Sequence, residues 1–527
     1  FLGASFQEVF STNREEPNSL KLTGKSTPTY TLTLSGNNNV IQSGGILGAT
    51  YGMTITNGSF TSGNGKDVIV NNYIVSGVLD IQSAITDNGS TPIGLTINGV
   101  GIYLGGRSTF SGDIVNGSSA LKVTSEGGLG VNNTLWLMSA GSLTFETPSS
   151  AVFSNNIVWK TPTYGNDTLN NNGSNTTVTL AGKLRLDPSS RANISVNGVA
   201  NSTFTLLGDN SGLVGTGLYL GTIGTLRLGH PNAYAANANA YLTFSLTTYR
   251  QSVYVLDQTT VGNNVNIDSV TNAAPVQIGM DSPGVGGFSG LITLGNAINP
   301  PDERKVYFIA TNGATVTFSG LVQGSTGRIL PLNVTGGGTV LLSRASGNTY
   351  PGPTVVSNAT LLVNNTSSSG TGTNTVSVSY GGTLGGIGLI TGVVSVASGC
   401  TLAPGTNSVG TLTVGGLTLA SGSTHAVQAG GTNTVSYDRC VVTKGTIDVT
   451  GSILSLSCTS GYVPNVKDTF TIIRNMTGTT VTGRFVEDAN IKAAGVPGMF
   501  EVLYNVGANK DVVLRYAGVR GTMIRVL

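Results

Sequence analysis

Charge is what this chain has least of: Asp, Glu, Lys and Arg together make up 9% of its 527 residues, where about 25% is usual. The 26 basic and 24 acidic residues nearly cancel, to a formal charge of +2. No Lys/Arg run with interleaved aromatics is present to track a phosphate backbone, so nucleic acid is not an expected partner. No apolar stretch approaches the roughly 20 residues of a membrane helix, so no membrane span is expected. Windows with the i, i+3, i+4, i+7 apolar spacing of a helix are almost missing. Histidine is confined to His230 and His425, each without visible partners, which argues against a catalytic triad, a zinc site or a histidine general base. Three cysteines, Cys400, Cys440 and Cys458, are too few and of the wrong parity for a disulfide scaffold. Small buried apolar residues is the plain reading of them. Cys440 and Cys458 lie about one solenoid coil apart, however, and stacking in adjacent rungs would let them form a disulfide in an oxidising compartment.

What is abundant is glycine, 76 residues, with much Asn, Thr and Ser. The 39% of hydrophobic residues is still ample for a core, so disorder is not indicated. Short alternating runs recur between Gly/Asn/Ser turns: YTLTLSG at 30–36, DVIVNNYIVSGVLDI at 67–81, LRLDPSSRANISVNG at 184–198 and LYLGTIGTLRLG at 218–229. Alternation of this kind predicts half-buried strands. The texture changes little from about residue 20 to residue 515 and no linker interrupts it. A stack of coils produces this pattern, whereas several β-sandwiches would need recognisable junctions. The fold class expected is therefore all-β, a right-handed parallel β-helix built as an elongated rod with about 22 residues per coil. Asn clusters at 36–40, 169–175 and 262–266 fit either amide ladders between coils or ordinary turns.

Residues 335–425 carry a more specific pattern. Asn348, Thr349, Tyr350 and Gly352 form one motif. Gly381, Gly382, Thr383, Leu384, Gly385 and Gly386 form a second, and Pro404 and Gly405 a turn. Glycines at such points permit positive φ at corners where a Cβ would clash. Together these residues resemble the autotransporter-associated β-strand repeat of bacterial passenger regions. Residues 437–514 resemble the terminal coils that follow such repeats, with two departures: Cys440 stands at a usually apolar position, and Lys510-Asp511 replaces a closing Asn-Asp pair. The resemblance implies a secreted or cell-surface protein, although the chain begins at Phe1 and shows neither signal peptide nor membrane barrel.

The organisation expected is an N-terminal strand or cap at 1–20, coils at 21–334, motif-bearing coils at 335–436, terminal coils at 437–514 and a strand-like tail at 515–527. Both ends are candidate assembly segments, the tail carrying Arg515, Arg520 and Arg525, because an open sheet edge can accept a strand from a second copy. The charged stretches at 13–18 and 299–308 read as protruding loops. Asp113, Asp187, Asp209, Asp257, Asp268 and Asp281 are the candidate groove carboxylates. They are scattered singly, which does not suit glycoside hydrolysis by a facing pair. The reading is a structural, non-enzymatic extracellular protein with no cofactor and no metal, assembling with itself through terminal strands and adhesive in role. A monomeric adhesin binding surface glycans is the alternative, and a polysaccharide-degrading β-helix enzyme a more distant one.

Overall fold

The protein is described from a computed structural model. It covers residues 9–10, 19–22, 30–34, 36–42, 45–48, 52–65, 67–73, 77–161, 165–190, 192–213, 217–234, 241–244, 250–267, 274–295, 305–324, 329–406, 408–459 and 461–519. Asp268, Arg520, Arg525, the loop at 13–18 and most of that at 299–308 lie outside the described residues. The chain is a parallel β-solenoid that divides into two units, Phe1–Val253 with Val261–Val265, and Tyr254–Thr260 with Asn266–Leu527.

In the first unit successive coils add strands to parallel sheets, one of which ends at Leu184–Leu186 while another begins at Ala151–Phe153. Tyr30–Leu34 pairs with Met53–Thr56, that strand with Leu79–Ile81, and that with Ile102–Leu104, always in parallel register. The alternation in sequence decides the facing. Met53, Leu79, Ile102, Leu121, Leu143, Leu169, Val196, Leu220 and Phe244 fall one above the next through these pairings, each at most 7% exposed. Every such side chain contributes about 1.5–3 kcal/mol by leaving water. The alternate, outward positions are polar or amphipathic, as in the succession Thr54, Asp80, Tyr103, Lys122, Thr144 and Asn170. A second parallel row on another face runs through Leu95–Gly99, Ile114–Asn116, Thr134–Leu137, Asn156–Trp159 and Leu184–Leu186.

The second unit is built in the same way. One row includes Val276–Met280, Val306–Ala310, Leu332–Thr335, Thr354–Ser357 and Val376–Ser379. Another includes Ala314–Phe318, Thr339–Leu342, Thr360–Val363, Thr383–Gly386, Thr401–Pro404, Thr424–Ala429 and Ile453–Cys458. Coil length is not a uniform 22 residues: Val376 pairs with Val394, 18 residues on, and Cys440 with Ile473, 33 residues on. The turns absorb the difference while register in the strands is kept.

The parallel order stops at Thr469–Asn475. Asp511–Gly518 pairs antiparallel with that strand and with Met499–Val506, and the three-residue strand Ala489–Ile491 pairs antiparallel with the latter through a bulge. Short, irregular edges resist further strand addition. Asp511 fixes this cap, accepting from the Asn475 amide (2.9 Å) and pairing with Arg474 (2.6 Å). Arg515, assigned from sequence to the tail, belongs to the capping strand and pairs with Glu501. Neither departure from the repeat pattern breaks the fold. Cys440 is fully buried, and Lys510 takes the left-handed turn conformation at φ 58°.

The motif residues are explained by their neighbours. Asn348, 4% exposed, joins three coils, accepting from the Val322 amide (2.9 Å) and donating to the Gly370 carbonyl (2.7 Å). Thr349 donates its amide to the Val322 carbonyl. Tyr350 is fully buried with its hydroxyl 2.8 Å from Thr354 Oγ1. Leu384 lies in the core, and Thr383 faces Thr360 and Thr401. Gly386 and Gly405, which follows Pro404, exchange both backbone hydrogen bonds at 2.8 Å. The expectation of positive φ holds at Gly381, Gly386 and Gly405 but not at Gly352, Gly382 or Gly385. There the reason is close approach: a Cβ on Gly352 would stand 1.8 Å from the Leu330 carbonyl oxygen. Replacing Asn348 with Ala strands a buried amide and a buried carbonyl at once, and an expected loss of about 2 kcal/mol is checked by urea unfolding.

The proposed stacking of Cys440 and Cys458 is not observed. Cys440 pairs in register with Leu412 and Ile473 and Cys458 with Ala429 in a different sheet, so both thiols are free, as is that of Cys400. A separation near one coil length does not bring residues together when the coil carries several faces.

Candidate functional site

Five of the six candidate carboxylates lie among the described residues, Asp113, Asp187 and Asp209 in the first unit and Asp257 and Asp281 in the second. Asp113 accepts from the Thr134 amide (2.9 Å) and from the Trp136 indole N–H (3.1 Å), both one coil on. Asp187 closes a turn by accepting from the Ser189 amide and hydroxyl. Asp209 accepts from the Ser211 amide and from Asn232 of the next coil, and these bonds hold the carboxyls of Asp187 and Asp209 below the usual carboxylate range. Asp257 accepts from the Val285 amide at 2.8 Å. Asp281 sits half-buried in a bend.

Residues not singled out from sequence use the same device. Asp87 accepts from the amides of Ile93 and Ser111, Asp167 from that of Gly141, and Glu126 from that of Val152. Asp438, 2% exposed, accepts from the amides of Gly410 (2.7 Å) and Gln428 (2.8 Å). Burial nevertheless raises its pKa to about 6. Asp87, Asp113, Glu126, Asp167, Asp257 and Asp438 are thus clamps between coils, satisfying backbone donors that the turns leave unpaired, whereas Asp187 closes its own turn.

Amides do similar work. Asn98 donates to Asn71 (3.0 Å) and Asn155 to Asn133 (2.6 Å), true inter-coil ladders. In the cluster at 36–40, Asn39 bonds the carbonyls of Gly36 and Ser59; in that at 169–175, Asn171 bonds those of Thr176 and Thr203 while Asn170 donates to Thr144 of the preceding coil. Among the described residues Asn also supplies seven of the twelve non-glycine residues with positive φ, which places it at turns.

His230 accepts the Asn232 amide on Nδ1 at 3.1 Å, a turn contact. His425 lies in a column of aliphatic residues, Val316, Val340, Leu361, Leu384, Leu402 and Leu454, formed by successive pairings. Its ring is fully buried, 6.3 Å from that of Phe485, and neither nitrogen makes a well-formed hydrogen bond. Burial lowers its pKa to about 4, with only partial compensation from the nearby backbone of Leu402 and Ile472.

Two concave regions lie on the first unit. One, of about 420 Å³, is lined by Arg107, Glu126, Asn155 and a run of Ser and Thr hydroxyls that includes the buried, unpartnered Oγ1 of Thr147. The other, of about 250 Å³, is lined by Thr134, Trp136, Asn156, Val158, Arg185, Leu186, Asp187 and Pro188. Sequence reasoning passed over Trp136. The signal was present in TLWL at 134–137, where alternation buries Leu135 and Leu137 and turns the indole outward. Among the described residues no group of three or more His, Cys, Asp or Glu side chains could hold a metal ion, and no helix is long and apolar enough to cross a membrane.

Compared with known protein families the chain matches no family model, and no curated protein matches it.

Proposed function

We propose that this chain is a structural, non-enzymatic protein of the cell exterior, a passenger-like β-solenoid with an adhesive role. The observation that carries this reading is the use of its carboxylates. Asp87, Asp113, Asp167, Asp257 and Asp438 each accept backbone amides across coils, so charge serves cohesion of the stack. A glycosidase would instead hold two of them facing one another across a sugar. The repeat-like motif at 335–425 supports placement outside the cell.

The antiparallel cap bears on how such a protein would act. Asp511–Gly518 occupies the edge of Thr469–Asn475 that a strand of a second copy would need, which favours a single-chain adhesin. Head-to-tail assembly would then depend on the end segments expected from sequence, 1–20 and the part of 515–527 beyond the capping strand.

The test is electron microscopy of the purified full chain over a range of concentrations, beside a form lacking residues 520–527. Isolated particles at every concentration are expected. Fibres that vanish on truncation would establish the polymer instead, and release of reducing sugar from a polysaccharide panel would overturn the non-enzymatic reading.

A further inference from the structure

Trp136 is set on the outer face of the first unit by the alternation of its strand, and its orientation is fixed before any ligand arrives. Asp113 holds the indole N–H through one carboxylate oxygen (3.1 Å) and the Thr134 amide through the other (2.9 Å). In register above Trp136 comes Val158, 7% exposed, and above that Arg185. At one strand spacing per coil the Trp136 and Arg185 backbones stand about 10 Å apart. The recess of about 250 Å³ lies between them.

Arg185 is exposed, and the described residues give its guanidinium neither a hydrogen bond nor an ion pair. Its methylene stem is supported by the next coil, since a Cβ on Gly212 would meet Arg185 Cγ at 2.8 Å. Asn156 accepts the Lys183 amide on its Oδ1 (3.0 Å), which turns its NH2 into the remaining donor. Lys160 and Lys183 are exposed nearby, while the acids of this face, Asp113 and Asp187, are already bonded within the protein. Those bonds leave both carboxylates charged, and Lys160 lies within electrostatic reach of Asp187. The recess therefore offers a pinned aromatic plane, hydrogen-bond donors and, in Arg185, a guanidinium with no ion-pair partner among the described residues, on a face where three cations meet two carboxylates.

We infer that this recess binds a carboxylate-bearing saccharide, with a pyranose ring stacked on Trp136 and the acid group of a neighbouring sugar held by Arg185. Stacking uses the apolar face of a ring on an indole, a guanidinium holds a carboxylate in bidentate fashion, and a platform already pinned by Asp113 loses little freedom on binding. A single aromatic platform suits an oligosaccharide better than a nucleic acid strand, which needs successive stacking surfaces along a basic track.

The inference rests on the adhesive reading, and the test separates the two. The chain has two tryptophans, and Trp159 is 1% exposed, so a ligand-induced change in emission reports Trp136. The full chain is titrated with a galacturonate hexamer, with its neutral methyl ester and with a single-stranded oligonucleotide of equal charge. The hexamer is expected to shift the emission and the ester to bind at least tenfold more weakly. Trp136→Ala should abolish the response. Arg185→Gln, a change at an exposed side chain, should remove the discrimination between acid and ester. Equal binding of acid and ester would overturn the assignment of an acidic ligand and leave adhesion standing. Hexamer binding unaltered in both variants, no binding of any saccharide, or tighter binding of the oligonucleotide would overturn the site itself.

Discussion

Lowering the pH from 7 to 4 is expected to destabilise the second unit by about 3 kcal/mol relative to a His425→Leu variant. His425 occupies a Leu position in an otherwise aliphatic column, between Leu402 and Leu454. Its pKa there is about 4 against an ordinary value of 6.5, because burial penalises the imidazolium. A group whose folded-state pKa is depressed gives its full stability above its unfolded pKa and loses it as pH falls through the folded one. The window is therefore pH 6.5 down to 4, and a shift of about 2.5 units corresponds to about 3 kcal/mol.

Asp438 acts in the opposite sense, since its folded-state pKa is raised to about 6. Its contribution is greatest below its unfolded pKa and is lost as pH rises through 6. Comparing wild type with His425→Leu at each pH cancels that term. Urea unfolding at pH 7, 5.5 and 4 should show the two curves diverging toward acid; parallel curves would refute the assignment. The Leu variant should also be more stable at pH 7, because it removes two buried nitrogens that lack good partners, a defect worth about 1–3 kcal/mol.

Gly386→Ala is expected to cost about 3 kcal/mol or more, and Gly381→Ala, in the same motif, only about 1. Both positions have positive φ, +111° and +72°, a region that costs an L-residue about 1–2 kcal/mol. They differ in what a methyl group would meet. At Gly381 there is nothing within 4 Å, whereas at Gly386 the Val363 carbonyl oxygen stands 2.2 Å away and the Val363 amide nitrogen 2.5 Å. Neither can give way without breaking the parallel pairing of Thr360–Val363 with Thr383–Gly386. Thermal or urea unfolding of the two variants checks the ratio, and similar losses would show that conformation alone, not approach of the adjacent coil, explains the glycines.

Facing within a strand was legible in the sequence because it depends only on neighbours two residues apart. YTLTL at 30–34 buries Leu32 and Leu34 as its alternation implies. What lies between strands was not legible to the same degree. Register depends on turns whose lengths vary from coil to coil, so Asp113 could be recognised as a lone carboxylate but not as the clamp on Thr134 and Trp136. The misplaced disulfide has the same origin. His425 was read as isolated, which is correct along the chain, but its place in an aliphatic column follows only once Leu402 and Leu454 are known to pair with it. Trp136 shows the reverse case: its facing was readable, and its companions Val158 and Arg185 were not.

The in-register pairing of Thr339–Leu342, Thr360–Val363 and Thr383–Gly386 has a consequence for how such a chain can change over generations. Leu361 follows Val340 and precedes Leu384 in the same column, so a stretch running from one position to its equivalent in the next coil can be deleted or copied in the gene with every surviving strand still meeting a compatible partner. Inheritance can therefore alter the number of coils in small whole steps, while the antiparallel cap of Asp511–Gly518 on Thr469–Asn475, which has no equivalent among the described coils, is free to persist unchanged.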